Sequence, residues 1–122
     1  MNEVENGLRR IRKGEHDEAY TALLASLPAL DLLKRLMERK NRSKRPFSSF
    51  SFEIAHKEIE EAYAVIEDSL SHGIRFEECV KVLKNVSDIA YHASQEIKMP
   101  SLKSDYLWTK DTFDLALSAF PH

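Results

Sequence analysis

His56 and Glu60 stand four residues apart, and so do His92 and Glu96. Two His-Glu pairs on neighbouring antiparallel helices are the raw material of a metal site in a helical bundle. Helical phase argues against convergence. At 100° per residue His56 falls at the edge of its apolar stripe, and His92 falls roughly 130° from the centre of its own. His16, His72 and His122 have no ligand neighbours in sequence. No glycine-rich phosphate loop, His-Glu-x-x-His run, Cys-x-x-Cys pair or Gly-x-Ser-x-Gly elbow occurs. The one cysteine, Cys79, lies beside Val80 and Val82 on an apolar stripe and reads as a small buried hydrophobe. The expectation is a protein without catalysis, metal or cofactor.

Two other constellations suit binding. Lys34, Arg35, Arg39, Lys40, Arg42, Lys44 and Arg45 are opposed only by Glu38, a net +6 followed by Phe47, Phe50 and Phe52. Cations can neutralise phosphates and aromatic faces can stack on unpaired bases. The same residues can complement a helix dipole while the phenylalanines seal a bundle end, or can contact a protein. The second constellation lies near the C-terminus. Leu102, Tyr106, Phe113, Leu117 and Phe120 form one helical stripe, and Trp108, Thr112, Leu115 and Ala119 form another on nearly the opposite side. A helix apolar on two faces needs cover on both. Either a short helix at residues 3–13 covers the second face, or Trp108 and Leu115 anchor a partner or a twin subunit.

The elements that must carry these residues are helices. Phe52, Ala55, Ile59, Ala62, Tyr63, Ile66 and Leu70 recur at helical spacing, and Phe76, Cys79, Val80, Leu83, Val86, Ala90, Ala93 and Ile97 do so again. His72-Gly73 divides them, with Gly73 expected in a left-handed cap and Ile74 folded back on the last turn. The broad apolar arc of the helix from Phe76 to about Lys98 places it at the centre of the bundle. Pro100 stops that helix, and Ser101 or Ser104 caps the next, which ends near Phe120. Ser49 or Ser51 caps the helix that begins near Phe52. Upstream, Val4, Leu8 and Ile11 mark a short helix that Gly14 ends. A longer apolar pattern runs from Ala19 to Met37, with Pro28 expected to kink or break it and Ser26 placed to cap a new start.

Gly14-Glu15-His16-Asp17-Glu18-Ala19, with Leu23 and Leu27-Pro28, resembles the join between the two helices of a tetratricopeptide unit. Nothing similar recurs about 34 residues on, and a solenoid needs roughly three stacked repeats. The likeness therefore implies a helix-turn-helix join and no more.

The 122 residues fit a single domain, read here as an all-α antiparallel bundle of four main helices plus the short N-terminal one. A lone cysteine suits a reducing, cytoplasmic setting. No apolar run approaches the ~20 residues of a membrane span, and the first residues lack the basic-then-apolar order of a signal peptide. Charge is polarised: residues 1–46 carry 11 Lys/Arg against 7 Asp/Glu, and residues 47–122 carry 7 against 13. Such a molecule can steer toward a charged partner or pair with itself as a homodimer. The functional expectation is a non-catalytic protein-protein interaction module of the inhibitor, immunity-protein or adaptor kind, bound through Trp108, Leu115, Arg39, Lys40, Arg42, Lys44 and Arg45. The alternative is a nucleic-acid-associated protein using the basic and aromatic segment 34–52.

Overall fold

The computed structural model describes residues 3–42 and 46–121, with side chains described from residue 17 onward. The described residues form four α-helices and no strand: α1 (Glu3–Arg42), α2 (Phe52–His72), α3 (Phe76–Glu96) and α4 (Pro100–Ser118). Each packs on its neighbours in a closed ring, α1 on α2, α2 on α3, α3 on α4 and α4 on α1. No helix is central. The expectation that α3 sits in the middle gives way to a corner position, where its wide arc is divided between α2 and α4. That arc buries Cys79, Val82, Leu83, Val86, Ile89, Ala90 and Ala93. The core is completed by Leu23, Leu30 and Leu33 of α1, Ile59 and Ile66 of α2, and Tyr106 and Phe113 of α4.

The largest departure from the sequence reading is α1. The short helix at 3–13, the stop at Gly14 and the break at Pro28 are replaced by one helix of 40 residues. The helix-turn-helix join that residues 14–28 resemble is therefore not formed. A helical glycine costs about 1 kcal/mol relative to alanine, too little to end a helix whose flanking residues are good formers. Proline costs about 3 kcal/mol, and here the damage faces water. Pro28 and Leu24, the residue whose carbonyl loses its donor, are both exposed, so solvent can take the freed oxygen. Ser26 does not cap a new start. It is buried, and its hydroxyl donates to the Ala22 carbonyl at 2.8 Å, back along the same helix.

The turns are set by local chemistry. Gly73 has φ +109° and ψ 140°, a positive-φ conformation but not the left-handed helical cap expected. Ser69 closes that corner, its hydroxyl accepting the Arg75 N–H at 3.2 Å. Ile74 is half-buried against the core, as its spacing suggested. Ser51 caps α2, accepting the Ile54 N–H at 3.1 Å. Neither Ser101 nor Ser104 caps α4. Met99 is the cap residue and Pro100 opens the helix, where a missing N–H costs nothing.

The ring order also fixes register. Asp31 meets Tyr63 and Lys34 meets Glu60 across α1 and α2, so the C-terminal end of α2 lies level with about Ala22. Restoring the missing N–H in α1 should stabilise the fold. Pro28→Ala is expected to raise the unfolding free energy by about 1–3 kcal/mol, measured by denaturant titration, with no change in helix count.

Candidate functional site

An open groove of about 610 Å³ runs between the α1 and α4 segments. Ala22, Ala25, Ala116 and Ala119 line it with small side chains, Thr21 and Thr112 flank them, and Asp17 and Glu18 stand at one end. Leu115 lines the groove as well, with 74 % of its surface exposed. Trp108 lies two turns earlier on the same flank of α4 and is 49 % exposed. Helical phase explains both. Tyr106, Phe113 and Phe120 aim into the core and are buried, while Trp108 and Leu115 lie about 140–160° round the helix from the centre of that stripe by the ~100° step per residue. The expectation that an N-terminal helix folds back to cover them fails, because residues 3–13 continue in line with the rest of α1. Fully burying one such leucine contributes about 1.5–3 kcal/mol, so the exposed pair is a latent source of binding energy.

The basic candidates lie elsewhere. Arg39, Lys40 and Arg42 occupy the last turn of α1, about 21–26 Å along the helix from Ala25 at 1.5 Å per residue. Lys44 and Arg45 lie outside the described residues. The phenylalanines that follow are turned inward rather than outward. Phe47 is buried, stacked on Phe50 at 4.8 Å, tilted against Phe52 at 5.8 Å and edge-on to Tyr106 at 6.2 Å. Lys40 lies 5.3 Å over the Phe47 ring, and Lys34 pairs with Glu60 at 3.1 Å. The hollow beside this end is lined by Glu38 and Glu53 as well as Lys34 and His56, so its charge is mixed.

The segment between α1 and α2 is fastened by contacts across 47 and 48 positions of sequence. Ser48 donates its N–H and hydroxyl to one oxygen of Glu96 at 2.7 and 2.9 Å, and Ser49 donates its own pair to the other at 3.1 and 2.8 Å. Glu96 is the last residue of α3, where the dipole disfavours a negative charge. Burial pushes the same way, yet the four donors outweigh both and pull its pKa from the ordinary 4.5 to about 2. This explains the His92-Glu96 spacing without a metal: the carboxylate is engaged by serines, and His92 is exposed with its ring against Tyr91. Among the described residues no group of three His, Cys, Asp or Glu is placed to hold a metal ion.

The charged cleft between α1 and α2 is the nearest approach to an acid-base constellation. Asp31, Lys34, Glu60, Tyr63 and Glu67 line it. Tyr63 donates its phenol to Asp31. Burial, that hydrogen bond and the charges of Asp31, Glu60 and Glu67 all raise the Tyr63 pKa, which holds it as a neutral donor, unlike an activated base or nucleophile. Cys79 is no better placed: burial raises its thiol pKa, and Ser69 Oγ sits 3.2 Å from the sulfur.

Sequence reasoning named Ser49 and Glu96 in other roles but missed the contact of Ser48 and Ser49 with Glu96, and it missed the α1 side of the groove. The alanine pairs at 22/25 and 116/119 were the available signal, since small residues three apart mark a helix flank open to close approach. Comparison of the chain with protein-family models, with curated proteins and with solved structures gives no match. No helix among the described residues is long and apolar enough to cross a membrane.

The Glu96 clamp predicts a pH dependence. A carboxyl that ionises at about 2 when folded and near 4.5 otherwise stabilises the fold fully above pH 4.5 and loses that contribution as pH falls toward 2. Glu96→Gln is expected to cost about 1–3 kcal/mol at pH 7 and to flatten the stability profile across that acid window, read by thermal melts at stepped pH.

Proposed function

We propose that this chain is a non-catalytic protein-binding module, of the inhibitor, immunity-protein or adaptor kind, that engages its partner through the α1/α4 flank. The observation that carries this reading is the exposure of Leu115 and Trp108 beside an alanine-lined groove. Apolar anchors next to a shallow channel suit a helix laid lengthwise, with anchor residues at one-turn spacing. Asp17 and Glu18 at the groove's end favour a helix with a basic flank. The chemistry of the titratable groups supports binding over catalysis: the Tyr63 phenol and Cys79 thiol are held protonated, and the Glu96 carboxylate is consumed by a structural contact. The free, buried Cys79 fits a reducing, cytoplasmic setting.

The nucleic-acid reading draws less support. Exposed Arg39 and Arg42 could still meet phosphates, but Phe47, Phe50 and Phe52 pack on one another in place of presenting open faces to bases.

Affinity capture from the source cells, with a nuclease-treated control, tests the choice. Trp108→Ala with Leu115→Ala is expected to weaken partner capture at least about 30-fold while melting stays cooperative and helical signal is kept. Retention that vanishes on nuclease treatment, or a mobility shift abolished by alanines at Arg39, Lys40 and Arg42, would favour nucleic acid instead.

A further inference from the structure

A hydroxyl that receives a phosphoryl group must lie along a kinase cleft, which favours exposed, irregular chain over helix. Among the described residues every threonine and tyrosine is helical, and so is every serine except Ser48, Ser49 and Ser51. Ser51 is engaged as the α2 cap, its oxygen accepting the Ile54 N–H. Ser48 and Ser49 remain, both exposed in the irregular stretch between α1 and α2. The basic last turn of α1, with Arg39, Lys40 and Arg42, precedes them in sequence, and kinases select their substrates by charge pattern. The partner of these two hydroxyls sets them apart. They donate to the two carboxylate oxygens of Glu96 at 2.9 and 2.8 Å, beside the N–H donors of the same residues. A serine there is a neutral donor. A phosphoserine carries about −2 charge at pH 7 and presents acceptor oxygens.

We infer that Ser48 and Ser49 form a phosphoacceptor site, and that one phosphoryl group on either hydroxyl breaks the clamp on Glu96 and frees the α1–α2 segment. The donor is ATP and the catalyst a serine kinase that selects basic residues before its acceptor. The serine oxygen bonds to the γ-phosphorus as the bond from that phosphorus to the β,γ-bridging oxygen breaks. ADP leaves with the electron pair, and the hydroxyl proton passes to the kinase's catalytic aspartate. The product loses one donor to Glu96 and sets a dianion where that donor stood, against a carboxylate it cannot bond. Release matters because of what the clamp holds down. Phe47, the residue before Ser48, is buried against Phe50, Phe52 and Tyr106. Losing the clamp loosens the cover over these rings at the end of α3. The site lies on the α1–α2 connection, away from the Leu115 flank, so the inference stands independently of the binding role given to that groove.

The test incubates the full chain with magnesium-ATP and a purified basophilic serine kinase, and separately with an extract of the source cells. Fragmentation mass spectrometry then maps the phosphoryl group. It is expected on Ser48 or Ser49 in both incubations, and Ser48→Ala with Ser49→Ala is expected to remove most of the uptake. Phosphoryl groups absent from both serines, or placed chiefly on other residues, overturn the site. The switch is read by amide hydrogen exchange on the phosphorylated chain. Exchange at the 48 and 49 amides is expected to speed up at least about 10-fold, with Glu96 titrating at or above its ordinary 4.5 and melting still cooperative. Glu96→Lys reverses the sign. There the phosphate meets a cation, so phosphorylation is expected to slow exchange at the same two amides at least about 10-fold relative to the unmodified variant. Unchanged exchange in the phosphorylated wild type, or faster exchange in phosphorylated Glu96→Lys, overturns the switch.

Discussion

The continuity of α1 is the constraint on which the other features depend. A helix of 40 residues spans about 60 Å, against about 30 Å for its three neighbours. A four-membered ring with one strut twice as long as the rest cannot cover that strut along its whole length. The basic last turn and the acidic residues Asp17 and Glu18 are held apart on one rigid element. The same element supplies one wall of the groove that Leu115 and the α4 alanines complete. Had the chain turned at Gly14, residues 3–13 would be a separate helix, free to pack on the Leu115 flank from within the chain.

A second constraint acts at the other end of the bundle. The described part of the α1–α2 connection is held by contacts to distant elements. Ser48 and Ser49 grip Glu96 at the end of α3, and Phe47 inserts beneath them against Tyr106 of α4. Polar and apolar anchors on adjacent residues fix both the path and the rotation of the segment. They also explain why an aromatic cluster beside a basic run is not an open nucleic-acid platform. The rings are occupied by one another, and Lys40 lies over the Phe47 ring face.

Much of this was legible in the residues, for identifiable reasons. The periodicities around Ile59, Val86 and Phe113 give three of the helices, because burial of a continuous stripe is a cooperative signal that one unfavourable residue does not erase. The second stripe of α4 correctly separated Trp108 and Leu115 from the core, since phase alone decides which side of a helix a residue occupies. Gly14 and Pro28 misled because they act locally, whereas the cost they impose is set by what faces them; Pro28 faces water. The Glu96 clamp was invisible because its partners are separated by 47 and 48 residues and meet only after the ring has closed. The groove needed both α1 and α4, and its α1 wall could not be drawn while α1 was read as two helices.

The most direct test is the end-to-end length of α1. Spin labels at Asn6→Cys and Asn41→Cys, in a chain whose own Cys79 is buried, report one distance by double electron-electron resonance when diluted with unlabelled protein. An unbroken helix predicts about 52 Å between the two backbone positions, from 35 steps of 1.5 Å. A distance below about 30 Å, the mark of a chain that reverses at Gly14 or Pro28, would contradict the account.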